Sequence, residues 1–171
     1  MTAHSISFNQ DVIDQRHLRH AMGRFATGVT VITTRTGDGK LEALTANSFS
    51  AVSLDPPLVL WSLGRNAKSL TSFRDSGYFA VNVLAADQCE LSRHFAMRGE
   101  NKFANLAYTT GLGGCPLLSD TLASFQCMTE NTVVGGDHII FIGRVRQATY
   151  RDGEPLIFSA GQYCTLLGGA D

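Results

Sequence analysis

Gly28-Val-Thr-Val-Ile-Thr-Thr34 is β-branched at every position after its glycine, and Thr36-Gly-Asp-Gly-Lys40 follows it with a turn signal. Branching at Cβ favours the pleated strand over the helix, and the Gly-Asp-Gly turn sends the chain back, so this segment opens a β-hairpin. Further strands are expected at residues 49–54, 58–63, 78–84, 123–130, 138–150 and 156–158. Helical spacing is scarce. Leu18, Met22 and Phe25 recur at i, i+4 and i+7 within residues 14–25. A second short helix is expected after Asn66, carrying Leu70 and Phe73, and a third at residues 88–96, where Asp87 and Glu90 are spaced as a capping box. Helices do not recur between successive strands, which excludes a doubly wound parallel sheet. The expectation is a mainly β fold, a closed antiparallel barrel with short peripheral helices. Residues 101–119, with the run GLGGCPLL, read as a long surface connection. No repeat or linker divides the chain, so one domain is expected over residues 1–171.

The 171 residues are 44% hydrophobic and 17% charged, with a formal net charge of −1. A domain of this size buries enough surface to fold without disulfides, and a near-neutral chain lacks the basic footprint of a nucleic-acid binder. No apolar run approaches the ~20 residues that cross a bilayer, and the opening MTAHSISFNQD has neither the basic nor the apolar region of an export signal. A cytoplasmic protein with no membrane or nucleic-acid partner is expected. Cys89, Cys115, Cys127 and Cys164 contain no C-x-x-C spacing and read as small buried hydrophobes. His17 and His20 lie three apart on a helix with no carboxylate cluster to complete a site, so no metal is expected.

Three stretches carry candidate chemistry. Thr45-Ala-Asn-Ser-Phe-Ser-Ala-Val-Ser-Leu-Asp-Pro-Pro57 packs Thr45, Asn47, Ser48, Ser50 and Ser53 into nine positions. Short hydroxyl and amide side chains leave backbone N–H groups accessible and add adaptable donors, which suits a ligand edge dotted with carbonyls and ring nitrogens. The same composition also fits an edge strand with solvated hydroxyls. Asn66-Ala-Lys-Ser-Leu70 places Lys68 and Ser69 in the first turn of a helix capped by Asn66, where orphan N–H groups attract a phosphate; an ordinary capped helix reads the same way. Gly135-Gly-Asp-His138 is a tight turn that sets Asp137 beside His138 at the start of a long strand, giving an oriented imidazole or simply a solvated hairpin tip. Phosphate loops of the G-x-x-x-x-G-K-[ST] type and the G-x-S-x-G elbow of hydrolases are both missing.

In order along the chain, GVTVITT, TANSFSAVSLDPPLVLWSL, RNAKSL, GYFAVNVL, HFA, GGDHIIFIGRV and PLIFSAGQY resemble the short-chain flavin reductases, over residues 16–163. These are reductase components of two-component flavin-dependent monooxygenases, within the flavin-binding split-barrel proteins. The resemblance implies a six-stranded antiparallel split β-barrel with Greek-key wiring, assembled as a homodimer. It implies hydride transfer from NADH or NADPH to FMN or FAD, with reduced flavin passed to a separate oxygenase.

Carried onto this chain, the resemblance puts Leu44, Thr45, Asn47 and Ser48 against the isoalloxazine and ribityl chain, with Ser62, Leu63 and Gly64 lining the same pocket. Lys68, Ser69, His94 and Phe95 would meet the flavin phosphate. Gly136, Asp137 and His138 would contact the nicotinamide nucleotide, with Pro155 and Leu156 nearby, and His138 is the residue expected to act in the reaction by positioning it. Ala43 stands where many relatives carry Gly, and Gln162 where they often carry a basic residue. Hydride transfer needs stacked rings and donors for developing charge, with no obligatory protein acid or nucleophile, which agrees with the missing proton-transfer constellation. Two other readings keep the barrel: an oxidase with tightly bound FMN, akin to the pyridoxamine phosphate oxidases, and a non-catalytic flavin-binding protein.

Overall fold

The computed structural model describes residues 14–99 and 101–166. The opening stretch read for an export signal and both ends of the expected domain lie outside the described residues. In chain order the elements are α1 (Gln15–Met22), β1 (Thr27–Gly28), β2 (Thr30–Arg35), β3 (Leu41–Ala46), β4 (Ser50–Leu54), β5 (Pro57–Gly64), α2 (Leu70–Ser76), β6 (Tyr78–Val83), α3 (Cys89–Ala96), β7 (Tyr108–Thr110), a 3-10 turn at Leu112–Gly114, β8 (Pro116–Leu118), β9 (Ala123–Gly135), β10 (His138–Tyr150), β11 (Ile157–Ser159) and β12 (Gln162–Cys164). The expected hairpin is β2–β3, pairing Thr30 with Ala46 and Arg35 with Leu41. The protein is mainly β, and every strand pair is antiparallel.

Seven strands form the main sheet, in the order β3-β2-β6-β9-β10-β5-β4. Its two edges, β3 and β4, are consecutive in the chain and joined only by residues 47–49. Laid flat, six strand spacings of ~4.8 Å would hold those edges ~29 Å apart, whereas the four Cα–Cα steps from Ala46 to Ser50 reach at most ~15 Å. The sheet therefore has to curl until its edges nearly meet. Ser48 marks the seam: its hydroxyl accepts from the Ser62 N–H (2.9 Å) and donates to the Ser62 carbonyl (3.3 Å).

The concave face is filled by Ile32, Val59, Trp61, Leu63, Phe73, Phe79, Val81 and Phe141. Trp61 stacks on Phe141 with ring centroids 4.7 Å apart and meets Phe73 edge-on at 4.9 Å. Gly143 lies under Phe79, where an added Cβ would sit 2.2 Å from a ring atom. The convex face of β2 and β6 is also covered, by α3 and the strands around it, in a second cluster containing Val29, Val31, Ala43, Leu84, Phe95, Leu118 and Leu156. Burial on both faces explains why β2 reads as a continuous β-branched run rather than an alternating one.

Several expectations are corrected. The apolar stripe of the first helix is not buried: α1 has no buried residue, Met22 is 67% exposed, and Phe25 lies beyond the helix at 79%. Asp14 caps it, accepting from the N–H groups of Arg16 and His17. Asp87 and Glu90 form no capping box; Gln88 is the cap residue of α3, and its side-chain oxygen accepts from Ala85 N. Residues 101–119 are not a plain surface connection. They hold β7 and β8 and bury Cys115, Pro116 and Leu118. Polar side chains on the convex face fasten this segment. Thr33 donates to Pro116 O at 2.6 Å, Asn82 accepts from Leu118 N at 2.9 Å, and Gln126 accepts from Leu112 N at 2.8 Å. Strand β9 continues past residue 130 to Gly135, because β10 pairs with it along its whole length.

The cysteines are not uniformly buried. Cys115 and Cys127 are buried, Cys89 is half-buried, Cys164 is exposed, and all four are free thiols. Burial pushes the Cys115 thiol up to about 11 and the Cys127 thiol up to about 12. The thiolate is the reactive form, so iodoacetamide at pH 8 is expected to label Cys164 first and to leave Cys115 and Cys127 unlabelled until denaturant is added, as read by peptide mass spectrometry. Gly143→Ala should cost about 1–3 kcal/mol in urea unfolding, because the new methyl displaces a buried ring.

Candidate functional site

A cavity of about 300 Å³ lies over the seam, lined by Leu44, Thr45, Ala46, Asn47, Ser48, Ser62, Leu63, Gly64 and His138. Eight of these come from two runs, residues 44–48 and 62–64, brought together by the closure that Ser48 fastens. His138 arrives from the third strand: β10 pairs with β5 so that His138 faces Gly64, with Ile139 opposite Leu63. A Cβ on Gly64 would approach the His138 Nε2 to 4.0 Å, so the glycine leaves the imidazole uncovered at the rim.

Within this wall the side chains divide by engagement. Leu44 packs on the inner core. The Thr45 hydroxyl donates to Ser92 O at 2.6 Å, fastening β3 to α3, and the Ser48 hydroxyl is held by the seam. Thr45 and Ser48 therefore serve the fold with their side chains and can offer a ligand mainly backbone. The Asn47 amide and the Ser62 hydroxyl have no hydrogen-bond partner among the described residues and remain available. Among the described residues, edge strand β3 adds main-chain N–H and C=O groups that no neighbouring strand takes. Apolar Leu44, Ala46 and Leu63 with these few converging polar groups have the make-up of a small-molecule site. A planar ring carrying carbonyls and nitrogens on one edge fits that donor set.

The hairpin tip holds His138 in a defined orientation. Gly136 sits at φ +63° in the two-residue turn, the conformation its first central position requires. Arg65 N donates to Asp137 O at 2.9 Å, tying the tip to the end of β5. His138 Nδ1 lies 2.7 Å from Asp137 Oδ1. A carboxylate only accepts, so Nδ1 carries the proton and Nε2 is the free atom turned toward the cavity. The hydrogen bond from His138, with its nearby charge, lowers the Asp137 carboxyl from its ordinary value. The contact is thus present through neutral pH and is lost as pH falls through that lowered value.

The other expected residues lie apart from this cavity. Asn66 does not cap a helix: α2 begins at Leu70 behind Ser69, and Lys68 and Ser69 belong to the preceding turn, so the first-turn phosphate geometry read from the sequence is not formed. That turn continues directly from Gly64, whose carbonyl accepts from Ala67 N. His94 lies on α3 with Nε2 2.7 Å from Lys102 O. Phe95 is 1% exposed and belongs to the outer core, which removes its side chain from any ligand contact. Pro155 bridges Ala85, beyond the far end of β10. Twelve residues of strand, ~40 Å of chain path, separate that end from His138, so Pro155 does not approach the turn within one chain. Ala46 is a wall residue that sequence reasoning missed, although it stands inside the stretch singled out. Among the described residues no group of three His, Cys, Asp or Glu side chains is placed to hold a metal, and no helix is long and apolar enough to cross a membrane.

The fold is mainly antiparallel, and the cavity over its seam has the make-up of a small-molecule site. Residues 22–167 match the model of the flavin reductase like domain, and the chain belongs to that family. It is 43% identical over 155 residues to a probable flavin reductase of Rhizobium meliloti, covering 91% of this chain and 50% of that one, so this chain spans about half the length of that relative. It is 43% identical over 150 residues to an NADH-dependent FMN reductase, SmoA, of Agrobacterium fabrum, covering 88% and 85%. Among solved structures, the Streptomyces globisporus NADH:FAD oxidoreductase SgcE6 in complex with NAD and FAD fragments superposes with a TM-score of 0.88 at 38% identity, covering 92% of this chain and 96% of that one. Other relatives are named as reductase subunits or components of flavin-dependent monooxygenases.

Ser48→Ala should cost about 1–2 kcal/mol in chemical unfolding, because the Ser62 N–H loses its acceptor at the seam. Asn47→Ala should leave unfolding unchanged.

Proposed function

We propose that this chain is an NAD(P)H:flavin oxidoreductase that transfers hydride from NADH or NADPH to FMN or FAD and passes reduced flavin to a separate monooxygenase component. One observation carries the reading: a pocket with free Asn47 and Ser62 polar groups over an apolar floor, with an oriented imidazole at its rim. The relatives named as NADH-dependent reductases and as monooxygenase reductase subunits support the same direction.

When bound, a flavin supplies a ring that accepts hydride and later gives up two electrons. The chain's residues bind and orient. Asn47, Ser62 and the free edge of β3 hydrogen-bond the polar rim of the ring, while Leu44, Ala46 and Leu63 exclude water from its face. Lys68 and Ser69, in the turn leading away from Gly64, and His94 on α3 serve the phosphate. His138 presents Nε2 to the nicotinamide nucleotide, with Asp137 fixing its tautomer and Gly136 the turn. This is a positioning task, because hydride transfer moves no proton through the protein.

The architecture of this reading is a single domain in which six of the seven strands of the main sheet form the split barrel. The described residues leave Val52 and Leu54 exposed on edge strand β4 and Val133 and Val134 exposed near the end of β9, apolar surface that supports a homodimer. Four free thiols agree with the reducing cytoplasm.

Anaerobic NADH oxidation with FMN or FAD as acceptor tests the assignment. Turnover that rises with added flavin is expected, and a tightly yellow protein indifferent to NADH would overturn it in favour of an oxidase. His138→Ala should raise the KM for NADH about tenfold, the effect of ~1.4 kcal/mol of binding, while flavin affinity stays within twofold; an unchanged KM removes the role given to His138.

A further inference from the structure

Edge strand β3 carries part of the cavity's backbone wall, yet among the described residues a single ladder, to β2, holds it in the sheet. A strand paired on one side can roll about that ladder, and a roll would redirect the main-chain groups of residues 44–46 that line the cavity. Thr45 opposes it. Its hydroxyl donates to Ser92 O at 2.6 Å and so ties the wall to the middle turn of α3. The wall is then only as firmly placed as Ser92.

Helix α3 is eight residues long, and its parts are held separately. At the N-terminal end the Gln88 side chain accepts from Ala85 N and donates to Ser119 O. At the C-terminal end Lys102 donates to Phe95 O at 3.1 Å, and the His94 ring lies 2.7 Å from Lys102 O. Between them Ser92 is fully buried, and its hydroxyl lies 2.8 Å from the Tyr163 hydroxyl on β12. Among the described residues, Thr45 and Tyr163 are the two side chains from outside α3 that hydrogen-bond this turn. The Tyr163 ring is itself set from two sides. Phe158, its register partner on β11, meets it edge-on with centroids 5.4 Å apart, and the Arg93 guanidinium stands 5.5 Å from its centroid. The hairpin that carries it is anchored in turn, because β11 pairs with β1 and Ala160 N donates to Gly23 O at 2.7 Å. A path of fixed contacts thus runs from the β11–β12 hairpin through Tyr163, Ser92 and Thr45 to the wall.

We propose that Tyr163 is a positioning residue for flavin binding: it holds Ser92, and through Ser92 O and the Thr45 hydroxyl it fixes the orientation of β3 against the ring. The inference rests on the flavin-reductase reading and deepens it, since Tyr163 is not among the residues that line the 300 Å³ cavity. His138 stands on β10, outside this path, so the nicotinamide nucleotide should not feel the loss of the tie.

Two variants separate positioning from stability. Tyr163→Phe keeps the ring but leaves the buried Ser92 hydroxyl without its partner, so the urea midpoint should fall. Ser92→Ala combined with Tyr163→Phe removes both hydroxyls, and the midpoint should return toward that of the wild type, because loss of both partners is nearly neutral where loss of one is not. The Kd for FMN, followed by fluorescence quenching on the folded proteins, should rise about fivefold, ~1 kcal/mol, in both variants alike. The KM for NADH at saturating FMN should stay within twofold. A Kd for FMN that recovers together with the midpoint in the double variant would show a purely structural tyrosine and overturn the proposal. So would a wild-type Kd in both variants, or a raised KM for NADH with an unchanged Kd. If Tyr163→Phe does not fold, the double variant carries the test by the same readouts. Failure of the wild-type protein to bind flavin would instead overturn the reading beneath it.

Discussion

The three residues between β3 and β4 govern this molecule. They connect the outermost strands of a seven-stranded sheet across a gap that a flat sheet could not allow, so curvature is imposed by chain length rather than left to twist alone. Closure then creates the two conditions a ligand site needs. It encloses the aromatic cluster around Trp61, giving the wall a rigid backing. It also leaves the seam incompletely paired, so that main-chain groups of β3 face outward beside short side chains. A fully laddered closure would have no such opening.

Ser48 shows how the seam is held. In the register that pairs Ser50 with Leu60, residue 48 falls opposite Ser62, and there the hydroxyl replaces the missing main-chain pair by donating and accepting at once. The serine-rich composition of residues 45–53 thus has two causes. Thr45 and Ser48 fasten strands with their hydroxyls, to α3 and to β5, and the Asn47 amide between them stays open to the cavity. Short side chains are needed for both, because a larger residue at the seam would push the edges apart.

Much of this was legible in the sequence, for identifiable reasons. The β2–β3 hairpin and the Gly136–Asp137 turn are local features, set by branching at Cβ and by glycine at positive φ, and both form where expected. Leu44, Thr45, Asn47, Ser48 and residues 62–64 line one cavity together with Ala46, which the sequence did not single out. Features that depend on distant partners were not legible. The division of labour between Ser48 and Asn47 follows from which strand lies opposite, and spacing along the chain carries no trace of it. Residues 101–119 look like a loop because their anchors, Thr33, Asn82 and Gln126, stand on other strands. A closer reading of buried-strand positions could have caught these, since polar side chains inside apolar strands require partners. Lys68 and Ser69 were misplaced because helix α2 starts later than Asn66 would set it.

The pocket's position over the seam also ties occupancy to the integrity of the whole sheet. Any compound that hydrogen-bonds Asn47 on one side and Ser62 on the other acts as a bolt between the end of β3 and β5, and it can do so only while the sheet is curled. Its binding energy is therefore available to the folded chain and denied to the unfolded one, so resistance to heat should climb with the logarithm of its concentration once that exceeds the dissociation constant. Cellular supply of the compound would set how long each molecule survives between unfolding events.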